Sequence, residues 1–156
     1  FEYEDQHKFP PKKKDLFFDA EAFFYFQKHF YIFTKSRVKS EYGKTSLYKF
    51  PAKKGKQKAK LIGEFENCND LECWITSADI SSDGKKVVLL SQKNILIFTD
   101  FKADNFLSGK VKKIAFEHQT QKEGICFLDN NTVLITDEKS QGKGGNLYEV
   151  VIGKQK

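Results

Sequence analysis

Six carboxylates occupy places where they could do chemistry. Asp19 and Glu21 precede the apolar run "AFFYF", Asp79 lies in "SADI", Glu123 in "KEGI", and Asp137 and Glu138 close "VLITDEK". Carboxylates gathered at one spot hold hard cations such as Ca²⁺, which takes six to eight oxygen ligands. Dispersed, they accept hydrogen bonds from backbone N–H groups or pair with nearby cations. Lys35 and Arg37 in "TKSR" supply such cations, and the matching stretch "TDEK" is acidic instead. That asymmetry is what a binding face would show. Trp74, the single tryptophan, stands in "CNDLECW". It would either stack on a ligand or wedge between structural units.

Other chemistries find less support. His7, His29 and His118 are far apart, and no nucleophile elbow accompanies them. "SSDGK" lacks the glycine spacing and following helix of a phosphate loop, and reads as a turn. Cys68 and Cys73 bracket "CNDLEC". They would form a local disulfide in an oxidising compartment and remain free thiols otherwise. A second Cys or His pair at zinc-ligand spacing is missing. Cys126, flanked by Ile125 and Phe127, is expected in the core.

The elements that would position these residues repeat. "YIFTKSR" (31–37), "VLLSQKN" (88–94) and "VLITDEK" (133–139) share an apolar triplet, a hydroxyl residue and a polar tail. "AEAF" (20–23), "SADI" (77–80) and "KEGI" (122–125) precede them, and Glu21 to Thr34, Ala78 to Ser91 and Glu123 to Thr136 each span 13 positions. A short polar break separates the two anchors in every copy: "QKH", "SSDGKK" and "DNN". Asp83-Gly84 is a strong hairpin signal, since glycine tolerates the positive φ of a tight turn. Third strands follow at "SLYKF", "NILIF" and "NLYEV", and fourth strands at "AKLIGEF" and "GKVKKIAF".

Four-stranded antiparallel units recurring at 45–57 residues predict an all-β, β-propeller-like chain. Its blades would be 19–66 and 75–117, with an incomplete third over 122–152. Residues 1–5 form an orphan strand expected to serve a neighbouring blade. The first strand of each blade would line a central channel under cover of both neighbouring blades. The unbroken run Phe23-Phe24-Tyr25-Phe26 fits such two-sided burial. Rings of this kind have about four to eight blades. Three blades would therefore be half of a six-bladed ring, completed by a second fragment or a second copy. Loops entering first strands and leaving second strands share one face in this topology. Asp19, Glu21, Asp79, Glu123, Lys35, Arg37, Asp137 and Glu138 would then surround the channel mouth.

The totals fit one folded domain. The chain has 156 residues, 39% hydrophobic and 15% aromatic, with 16 Phe and a net charge of +6. Much of that charge lies in "PPKKK" and "KKGKQKAK". These runs fall in connections and lack interleaved aromatic residues, so solvated loop tips are expected and nucleic-acid binding is not. The chain carries no apolar run of the roughly 20 residues that a membrane helix needs. It starts at Phe1 and contains no methionine, as expected of a processed product or a piece of a longer protein.

Together, "DAEAFFYFQKHFYIFTKSR", "ADISSDGKKVVLLSQKNILIF", "EGICFLDNNTVLITDE" and "GGNLYEV" resemble the C-terminal half of secreted β-propeller proteins found in Bacteroidetes. The same rhythm is similar to the esterase-like phytase and SdiA-regulated propeller families. The resemblance covers about residues 15 to 152. It implies an exported protein, periplasmic or at the cell surface, and it implies no particular reaction. Calcium-dependent propeller phytases use a dense carboxylate cluster, and the acids here are too few for that pattern unless further blades add more. The expected function is a non-enzymatic binding or scaffold module acting through the channel mouth, with no cofactor. It would take a small polar ligand or a protein. The alternative is a metal-assisted, phytase-like or esterase-like hydrolase using Ca²⁺.

Overall fold

A computed structural model describes residues 1–140 and 142–153. The chain is all-β. Its strands are β1 (Glu2–Tyr3), β2 (Asp19–Phe26), β3 (His29–Lys35), β4 (Lys44–Pro51) and β5 (Lys58–Glu66), then β6 (Ser77–Ile80), β7 (Val87–Leu90), β8 (Asn94–Thr99) and β9 (Lys110–Ala115), then β10 (Lys122–Asp129), β11 (Thr132–Asp137) and β12 (Leu147–Val151). They form three sheets of five, four and three strands, in the orders β1-β5-β4-β3-β2, β6-β7-β8-β9 and β10-β11-β12. All pairings are antiparallel except β1 with β5.

Tight turns create the meander. β2 and β3 join through Gln27 and Lys28, with φ of 47° and 63°, giving the twist of a two-residue hairpin. Gly84 takes φ of +68° in the 81–86 loop, where Asp83 accepts hydrogen bonds from the Ser81 hydroxyl and the Lys85 N–H. Asn130 and Asn131 turn β10 into β11, and Asp129 accepts from the Asn131 N–H. The "KKGKQKAK" run falls on the β4–β5 hairpin tip and the start of β5, with every lysine exposed.

The sheets pack in a row. The first strand of each lies beside the first strand of the next, β2 by β6 and β6 by β10. One apolar core fills the space between the first and second sheets, with Phe24, Tyr31 and Phe33 against Val87, Leu89 and Leu96. A second joins Val88, Leu90, Ile95 and Ile97 to Ile125, Val133 and Ile135. The middle sheet is therefore apolar on both faces, and Val87–Leu90 are completely buried.

Three expectations from the sequence change. The run Phe23–Phe26 is not covered on both faces: Ala22 and Phe24 point into the core, while Phe23 and Tyr25 are exposed. β2 belongs to an end sheet, and only the second sheet packs against it among the described residues. Residues 1–5 add no strand to a neighbouring sheet. Glu2 and Tyr3 extend the first sheet itself, parallel to β5. Cys126 is exposed, because Ile125 and Phe127 take the core-facing side of β10.

Candidate functional site

The starts of the first strands and the ends of the second strands lie together at one end of the row. In the first sheet Asp19 sits opposite Lys35, and a bulge follows between Ala20 and Ala22. Lys35 is buried, and its Nζ lies 2.6 Å from Glu21 and 3.7 Å from Asp19. Arg37 holds Asp19 with Nε and a terminal nitrogen, each at 2.5 Å. Such charge-assisted pairs are the stronger kind of hydrogen bond.

Trp74 lies beneath these cations. Lys35 and Arg37 stand 5.3 and 5.1 Å from its ring, and its indole N–H donates to the Ser36 carbonyl at 2.7 Å. Tyr42 meets the ring edge-on. The tryptophan thus ties the exit of β3 to the entrance of the second sheet. The Cys68–Cys73 disulfide closes the turn before it. Lys93 pairs with Asp70 at 2.5 Å and with Glu72 at 3.4 Å across the same turn.

The third sheet repeats the first with its charges exchanged. Here Lys122 lies on the first strand and Asp137 opposite it on the second. Lys122 is 1% exposed. Its ammonium donates to Thr120 Oγ1 at 2.8 Å, reaches the His118 carbonyl and lies 4.4 Å from the Phe116 ring. Burial pushes its pKa down, and Asp137 works against that shift. Burial would raise the Asp137 carboxyl. Hydrogen bonds from the Asn146 N–H, Thr120 and the Tyr148 hydroxyl prevail and hold it at about 2.

Asp79 serves the packing of the second sheet on the third. One of its oxygens accepts from the Ile80 N–H and the other from the Phe127 N–H at 2.7 Å. Ser77 accepts from the Ile125 N–H, and the Thr76 hydroxyl donates to the Lys122 carbonyl. These bonds satisfy backbone groups of β10 that no strand pairs.

What remains at this end of the row is a smaller group. Burial raises the Glu123 carboxyl pKa, and Glu21 and Glu138 raise it further, while Lys35 opposes them. Carboxylates about a hundred residues apart in sequence therefore act on one another. Shallow depressions flank them, one of about 440 Å³ beside Asp19–Phe23 and one of about 350 Å³ beside Gln121 and Glu138. Of the expected mouth residues, the structure brings Glu21, Glu123, Glu138 and Lys35 together. Asp19 and Arg37 adjoin them, whereas Asp79 and Asp137 are engaged elsewhere. Among the described residues, no group of three or more His, Cys, Asp or Glu side chains is placed to hold a metal ion.

Two features escaped the sequence reading. Lys122 carried one signal, its opposite-charge partner in strand register. A second polar cluster lies at the other end of the strands, where Tyr31, Lys49 and Asp104 meet in a groove of about 500 Å³ between the first and second sheets. Lys49 is bonded to Asp104, and the Tyr31 hydroxyl donates to the same oxygen at 3.5 Å. That pairing holds the Asp104 carboxyl below its ordinary range, and burial pushes the Tyr31 hydroxyl up. It joins β3, β4 and a loop, with no shared spacing to announce it. No helix in the described residues is long and apolar enough to cross a membrane. No family model and no curated protein sequence matches the chain.

Proposed function

We propose that the chain is a three-blade portion of a β-propeller and serves as a non-enzymatic binding module, with its contact surface at the mouth. The observation that carries this reading is that Glu123 lies close enough to Glu21 and Glu138 for both to raise its pKa, beside the buried Lys35 that holds Glu21 at 2.6 Å. Three exposed carboxylates and one buried ammonium leave a surplus of negative charge. A ligand presenting a protonated amine relieves that repulsion, so the favoured ligand is a small polycation or a basic peptide segment. Further blades complete the ring. The resemblance to exported propeller proteins supports a module that works outside the cytoplasm, where the Cys68–Cys73 bond would persist.

Spermine is a direct probe. Calorimetry at low salt should show binding that weakens as salt is added, because exposed charges are screened over about 10 Å at 0.1 M. The triple variant E21Q/E123Q/E138Q should lose at least tenfold in affinity. Absence of binding to the parent chain, or undiminished binding to the triple variant, overturns the reading. Addition of Ca²⁺ or EDTA should leave Tm unchanged, whereas a calcium-dependent rise would favour a metal-assisted hydrolase.

A further inference from the structure

The inner strands β7 and β8 of the middle sheet show what these sheets require, since they are buried on both faces. Each end sheet packs against another sheet on one face only. On the first sheet Phe23 and Tyr25 are 60% and 57% exposed. They belong to an aromatic ladder on that face, with Phe30 5.8 Å from Tyr25 and Phe50 5.4 Å from Phe30. The N-terminal segment covers the part of the face away from β2: Phe1 stacks on Phe50 at 4.6 Å, and Tyr3 and Phe18 lie over Tyr48, which leaves Phe23 and Tyr25 open. On the third sheet Leu128, Leu147 and Val151 are 57%, 65% and 50% exposed. Glu149 lies between Leu147 and Val151 on that face, so its apolar groups surround one charge. Exposed large apolar side chains gathered on a sheet face mark an interaction site.

The two open faces are complementary in kind. One is aromatic and the other aliphatic around Glu149, and the interface between the first and second sheets already packs aromatic Phe24, Tyr31 and Phe33 on aliphatic Val87, Leu89 and Leu96. They also lie at opposite ends of the row. An open first-sheet face therefore meets an open third-sheet face in the same head-to-tail sense as the two internal interfaces. Head-to-tail contacts give a closed ring when the rotation closes and a filament when it does not.

We propose that the occupant of each open face is a second copy of this chain. Two copies close head to tail, with Tyr25 of one beside Leu128 of the other at both junctions. The resulting six sheets have no open face. The proposal rests on the three-blade reading above and adds to it that the mouth is shared. Each copy contributes its own Glu21, Glu123 and Glu138, so the complete mouth carries two such sets.

Light scattering tests the proposal. The parent chain should run at twice its 18.1 kDa. Y25K and L128K should each run as monomers, because in a head-to-tail ring either change spoils both junctions. Both side chains are exposed, so the variants should keep the parent's circular dichroism. An equimolar mixture of the two variants should restore a dimer, held by the one junction in which both faces are intact. A monomeric parent chain, or an open ladder of higher oligomers, overturns the proposal. So does a dimer that survives L128K, which would mean pairing through the first sheet alone. Spermine titration of the same samples keeps the two readings separate. A monomer that still binds spermine removes the second copy and leaves the mouth in place.

Discussion

Asp137 and Glu123 occupy the same end of the third sheet and titrate in opposite senses. Asp137 is held at about 2, well below the ~3.9 of a free aspartate. It therefore contributes stability above the unfolded value that is lost as pH falls from about 4 toward 2. D137N keeps the shape but leaves one oxygen where two accepted, so either the Asn146 N–H or the Tyr148 hydroxyl loses its acceptor. It should cost roughly 1–3 kcal/mol in urea unfolding at pH 7, and the difference should shrink below about pH 4. Glu123 is shifted upward, so the folded chain holds its proton more tightly than the unfolded chain does. Stability from this group rises as pH falls through its raised pKa, and at neutral pH its charge is a burden. E123Q should have a higher Tm than the parent at pH 8, and the gap should close in acid. A lower Tm for E123Q at pH 8 would mean that Glu123 makes a favourable contact outweighing the repulsion.

At the scale of elements, what the sequence revealed depended on whether its cause was local. Hairpins are local, and the turns at 27–28, 81–86 and 130–131 fall within the three polar breaks. Strand register was partly legible, since Asp19 faces Lys35 and Lys122 faces Asp137 at matching positions. The change from "TKSR" to "TDEK" therefore reflects, at its first charged position, a pair with its charges exchanged, and so says less about a binding face than the tails alone suggest. Two-sided burial is not local, because it depends on which sheet stands on the far side. The run "AFFYF" has the composition of a fully covered strand, yet Phe23 and Tyr25 lie in an end sheet. The parallel partner of residues 2–3 was illegible for the same reason. One turn invites a test. Gln27 and Lys28 hold left-handed backbone without glycine, at a cost of order 1 kcal/mol each. Only their backbone carbonyls serve the fold, accepting from His29 and Ala52. Replacing the pair by Asn-Gly, which prefers this turn, should stabilise the chain by roughly 1 kcal/mol in urea unfolding. A loss instead would show that the two side chains contribute contacts beyond the turn.

At the scale of the whole molecule, burial divides the chain into a middle with buried inner strands and two end sheets that each expose apolar side chains. Leu96 is fully buried in the core between the first and second sheets, with Leu89 opposite it in register. L96A removes its methyl groups and leaves a cavity that the flanking sheets cannot collapse to fill. It should cost about 2–5 kcal/mol at any protein concentration. Leu147 is as apolar but lies on the open face of the third sheet. In a monomer, L147S should change stability by no more than about 0.5 kcal/mol, as surface substitutions usually do. If a second copy covers that face, the same change weakens the junction, and the Tm of the parent depends on concentration because assembly stabilises the folded state by mass action. Melting both variants over a hundredfold range of concentration separates the cases. L96A should run parallel to the parent and well below it. L147S should match the parent when dilute and fall behind it when concentrated. Equal Tm values for L147S and the parent throughout would show that the aliphatic face is not covered in solution.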